Sequence, residues 1–199
     1  MNRLGKHEKA ELLERLGRWH TPNVMQDLVD ETMDYLGSEH LFNQAGLAFL
    51  RDAWIAAEFA DLRNADAVRL VSDNWPDFEL CADGRVEAFE AVEADDPRRR
   101  RGDEYRHGIG EIEEDPIEDW ISRAKQAPCW IEAACRTKLD KCYDGKVSLV
   151  IYLNMNEYGI RQAEVEACFP SATNIVSDHF TSVWILWKRR IYPIWPIAT

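Results

Sequence analysis

The residues best suited to chemistry lie between Trp75 and Asp96, in the stretch WPDFELCADGRVEAFEAVEADD. Asp77 stands at the start of a short strand candidate, Phe78 to Cys81, and Asp83-Gly84 is a dipeptide that reverses a chain. Val86 to Ala94 reads as a second strand, so the segment is expected to form a β-hairpin. A period of two sends Glu87, Phe89, Ala91 and Glu93 to one face, and Ala88, Glu90, Val92 and Ala94 to the other. Both faces then mix apolar residues with carboxylates, which is a poor pattern for a plain core strand. The hairpin would gather Asp77 and Glu90 at one place. Two carboxylates fixed on adjacent strands suit a hard divalent cation such as Mg²⁺, which takes oxygen ligands and keeps several waters.

Pro76-Asp77, a hairpin, and then Glu90-Ala91-Val92 on the next strand resemble the motif of the PD-(D/E)XK nuclease-like superfamily, the restriction-endonuclease-like fold. The resemblance implies that Asp77 and Glu90 hold Mg²⁺ or Mn²⁺. Glu93 is an alternate ligand if the strand phase differs. It also implies a further carboxylate from the helix before the sheet, and Glu58 occupies the matching place. In that family a lysine two residues after the glutamate assists the attacking water, and here that position is Val92. The family tolerates a lysine relocated to a neighbouring helix, so Lys141 or Lys138 would take the catalytic role.

The formal net charge of −12 over 199 residues weighs against general nucleic-acid binding, which relies on cations meeting phosphate. Local fields still matter, and Arg98, Arg99, Arg100 and Arg101 form a run beside Pro97 and Gly102 that cannot be a buried element. Such a solvated loop could grip a phosphate backbone, because arginine meets phosphate bidentately. The five cysteines contain no C-x-x-C pair, which argues against a disulfide framework or a structural zinc site and for buried thiols. No apolar run approaches the roughly 20 residues that cross a bilayer, and the charged N-terminus lacks a signal-type apolar core. The expected location is cytoplasmic. Neither G-x-x-x-x-G-K-[ST] nor G-x-S-x-G occurs, which disfavours nucleoside-triphosphate and α/β-hydrolase chemistry.

The elements that must carry the acidic hairpin follow from periodicity. Apolar stripes predict helices over 8–19 and 24–36, the second stopping at Gly37, and a longer helix from about Glu39 to Leu62. Ala67 to Ser72 reads as a strand. A helix over Ile117 to Tyr143 should kink or divide at Pro128, with Lys138 and Lys141 in its last turn. Lys146 to Asn154 is apolar on both faces, as expected of a central strand parallel to a neighbour. A short helix over Ile160 to Cys168, closed by Phe169-Pro170, precedes a hairpin with Lys188-Arg189 at its turn. These elements predict one α/β domain over residues 1–199, with a mixed central sheet flanked by helices. Residues 1–47 form an N-terminal helical portion; residues 48–199 form the core and a C-terminal hairpin. The order from about Ala48 to Leu153 resembles the restriction-endonuclease-like core. The expected function is metal-dependent hydrolysis of phosphodiester bonds in nucleic acid. The rival is an inactive acidic interaction protein of inhibitor, immunity or scaffold type, with a protein partner or a second copy of itself and no membrane.

Overall fold

The computed structural model describes residues 3–43, 46–72, 75–97, 117–141, 143, 146–155 and 159–196, and the side chains of 38–43 are not among them. The chain is mixed α/β, with a six-stranded sheet in the order β1-β2-β3-β4-β5-β6. The described residues gather into two compact units, one ending at Ala91 and one beginning at Val92.

In the first unit, α1 (Lys6–Leu16) starts where the Gly5 N–H donates to Glu8 Oε2 at 2.6 Å. It ends three residues short of the predicted limit. Beyond it the chain turns to form a β-bridge between His20 and Val68, which covers part of the outer edge of the sheet. Helix α2 (Pro22–Asn43) leaves helical geometry at Gly37, where the sequence places its stop. The expected long helix from Glu39 is broken further on: Gly46 has a φ of +78°, a conformation that ends a helix, and α3 begins only at Ala48 and runs to Leu62. Ala53, Ala56, Ala57 and Ala60 are all buried on α3, and such short side chains let it lie close to the strands beneath.

Those strands are β1 (Ala67–Leu70), β2 (Phe78–Ala82) and β3 (Arg85–Ala94), an antiparallel meander. Asp83 and Gly84 both take positive φ, the two-residue turn whose twist matches the flanking strands. Phe78 and Phe89 stack on each other with ring centres 5.2 Å apart, and Phe59 of α3 meets both edge-on, at 6.2 Å and 5.2 Å. This aromatic triad is the centre of the first core.

In the second unit, α4 (Ile117–Leu139) runs through Pro128 as a single 23-residue helix, so the expected division does not occur. The proline removes one intrahelical donor, and the buried faces of Ala124, Ala127 and Ile131 around it hold the helix together. Its end at Leu139 corrects the predicted limit at Tyr143. Strand β4 (Ser148–Leu153) pairs parallel with β5 (Val183–Trp187), as its doubly apolar sequence predicts. Helix α5 (Gln162–Thr173) passes through Pro170 rather than closing there. Thr173 Oγ1 donates to the Phe169 carbonyl at 2.8 Å in its last turn, and a 3₁₀ turn follows over Asn174–His179. Strand β6 (Arg190–Trp195) returns antiparallel along β5. Trp187 is buried against Phe169, with ring centres 5.9 Å apart, and its indole N–H donates to the Met155 carbonyl. Among the described residues, no helix is long and apolar enough to cross a membrane.

Candidate functional site

Asp77 is held by three hydrogen bonds. Its N–H donates to the Phe89 carbonyl at 2.9 Å, and its own carbonyl accepts from the Val71 N–H at 3.1 Å. Its side-chain Oδ2 accepts from the Ala91 N–H at 2.8 Å. Phe89 and Ala91 flank Glu90, so Asp77 grips β3 on either side of that residue. The pairing of β2 with β3 ends at Phe78 and Phe89, so Asp77 stands just before the first rung, alongside the Phe89–Ala91 stretch of β3.

Glu90 has 0 % of its surface exposed. Burying a carboxylate in this way carries a desolvation cost that only close polar or ionic partners offset. Its neighbours Phe89 and Ala91 are buried too, so β3 is enclosed on both faces at this point. Glu58 is also buried, on α3 beside Phe59.

The other expected residues fall in the second unit or outside the described residues. Glu93 accepts a hydrogen bond from the Asn154 side-chain amide, while the Asn154 N–H donates to the Ala94 carbonyl at 2.9 Å. Asn154 thereby ties the end of β3 to the exit of β4. Lys138 is buried in the last turn of α4. Lys141 stands past the helix end and is exposed, its N–H reaching the Lys138 carbonyl at 3.4 Å. Val92 is half-buried. Arg98, Arg99, Arg100 and Arg101 lie outside the described residues.

The Asp77–Glu90 donor set is all carboxylate oxygen, the chemistry of a hard cation. Among the described residues, no group of three or more His, Cys, Asp or Glu side chains is arranged to hold a metal ion.

Sequence reasoning passed over a second polar group, on α5 and β6. Glu166 Oε1 accepts from the Gln162 side-chain amide at 2.7 Å and from the Tyr192 hydroxyl at 2.8 Å. These bonds, with smaller contributions from Arg190 and Lys188, hold the Glu166 carboxyl below its usual range. Burial, and then the bond to Glu166, raise the Tyr192 hydroxyl. The i,i+4 spacing of Gln162 and Glu166 was a usable signal; the cross-element partner Tyr192 was not. Comparison with family models, with curated proteins and with solved structures finds no match for this chain.

Proposed function

We propose that this chain is a metal-dependent, nuclease-like protein that hydrolyses phosphodiester bonds in nucleic acid. The observation that carries the reading is the grip of Asp77 on both neighbours of the buried Glu90. The order α3-β1-β2-β3-α4-β4 supports a restriction-endonuclease-like core. Asp77 and Glu90 would hold Mg²⁺ or Mn²⁺, with Glu58 as a further carboxylate and Glu93 the alternate. A divalent cation at such a site supplies Lewis-acid polarisation of phosphate and a more acidic water. The chain's own contribution is positioning. Ala91 fixes one carboxylate oxygen of Asp77, and the enclosed strand excludes bulk water around Glu90. Lys141, or Lys138, would assist the attacking water, and Arg98 to Arg101 would hold the substrate backbone.

Val92 at the lysine position favours a second reading, an inactive acidic interaction protein of the same fold. One experiment separates the two. Mg²⁺ and Mn²⁺ are titrated against the wild type, Asp77→Ala and Glu90→Gln, with melting temperature and cleavage of labelled DNA and RNA as readouts. The nuclease reading expects a metal-dependent rise in melting temperature and cleavage, both lost in the two variants. Absence of both responses in the wild type would leave the interaction protein. Cleavage that survives Asp77→Ala would overturn the site assignment.

A further inference from the structure

The β5–β6 turn places Lys188, Arg189 and Arg190 side by side, all three exposed, in a chain of net charge −12. Lys188 has a φ of +51° and Arg189 one of +54°. A two-residue turn with both residues at positive φ favours Asn-Gly or Asp-Gly, because a side chain there crowds the backbone. The β2–β3 turn of the same chain obeys that rule with Asp83-Gly84. At Lys188-Arg189 the chain instead carries two long cations in a conformation that disfavours both. The turn is well supported from behind: Trp187 is buried, and the Lys188 ammonium lies 5.0 Å from the centre of its ring. Arg190 pairs with Trp187 across the first rung of the hairpin. The result is a projecting turn tipped with cations, at the end of the sheet where β4 exits through Asn154 and Met155, with Glu166 the nearby carboxylate that Arg190 and Lys188 help hold ionised.

We propose that the Lys188–Arg190 hairpin tip is a contact for the phosphate backbone of nucleic acid. The proposal rests on the nuclease-like reading for the choice of polyanion. Arginine and lysine meet phosphate oxygens directly, and the backbone that presents them is already folded into its turn. It reads no sequence, so it would position a strand without selecting bases.

The test uses the full chain in EDTA, so that binding is measured apart from cleavage. Fluorescence anisotropy follows labelled single-stranded DNA, duplex DNA and RNA against salt. Two double variants are compared with the wild type. Lys188→Asn/Arg189→Gly installs the preferred turn residues, while Lys188→Gln/Arg189→Gln removes charge and keeps the disfavoured turn. Both should weaken duplex binding at least tenfold and reduce the log–log salt slope by about 1.8, or 0.9 for each lost cation. Only the Asn-Gly variant should also raise the melting temperature, by roughly 2–4 °C for a chain of this size. Unchanged affinity and slope in both variants, or no binding by the wild type, would overturn the proposal. So would a tip-dependent preference for anionic lipid vesicles or polyglutamate over all three nucleic acids. None of these results bears on Asp77-dependent cleavage, which judges the nuclease reading separately.

Discussion

Strands β3 and β4 both run through buried surroundings, yet only β3 carries carboxylates into them. Every residue of β4 except Tyr152 is buried, and its buried hydroxyl, Ser148, accepts a hydrogen bond from Ser182 at 2.8 Å. Strand β3 buries Phe89, Glu90 and Ala91 in succession. A strand like β4 needs no explanation beyond packing, since apolar burial on both faces drives folding directly. A strand like β3 gives up part of that driving force to keep an ionisable group inside. The contrast separates a stretch built for packing from one whose buried carboxylate needs a polar or ionic partner.

The largest expected effects concern catalysis on β3. On the nuclease reading, Lys141→Ala should lower the cleavage rate by about 10²–10⁴-fold, the range typical of losing a proton-transfer group. Adding Val92→Lys to that variant should recover part of the rate, because it restores an ammonium two residues after Glu90. Single-turnover cleavage assays measure both. Lys141→Ala cutting at the wild-type rate would remove Lys141 from the mechanism and turn attention to Lys138.

Stability gives the next contrast, and it runs the other way. Ile151 on β4 has none of its surface exposed, so Ile151→Ala should cost about 2–5 kcal/mol through lost burial and the cavity left behind. Glu90→Gln keeps the shape and relieves a buried charge, so in EDTA it should change stability by less than about 2 kcal/mol. Urea unfolding of the two variants side by side makes the comparison. A loss at Glu90 as large as that at Ile151 would mean that the carboxylate anchors the fold rather than a ligand.

Much of this architecture was legible from pattern. The apolar run at Lys146 to Asn154 announced a central strand with a parallel neighbour, and Asp83-Gly84 announced the hairpin. Helix ends were harder. The break before Ala48 depends on Gly46 entering the left-handed region, whereas Pro128 and Pro170, which looked like breaks, are carried through by packing on both sides of them. That the hairpin would bring Asp77 alongside β3 near Glu90 was legible from its turn and spacing. That Asp77 would spend a carboxylate oxygen on the Ala91 N–H was not, because the bond depends on backbone geometry where β2 begins. Cross-element partners such as Asn154 with Glu93, and Tyr192 with Glu166, lie 61 and 26 residues apart, and no local period encodes them.

The smallest effect comes from Glu166, a carboxylate that can be set against Glu90. Glu166 is only half-buried and its partners are known, so its behaviour with pH can be worked out. The bonds from Gln162 and Tyr192 lower its pKa in the folded chain relative to the unfolded one. A depressed carboxyl pKa contributes stability that is fully present above the unfolded value, near 4.3 for glutamate, and is lost as pH falls through the folded value. Wild type should therefore exceed Glu166→Gln in melting temperature at pH 6 to 7, with the gap closing as pH falls below about 4. Tyr192→Phe should shrink the same gap by removing one of the two donors. Melting curves of the wild type and both variants across pH 3 to 7 provide the measurement. A gap that stays constant with pH would mean that Gln162 and Tyr192 bind the glutamine as well as the carboxylate, and that the pairing is shape rather than charge.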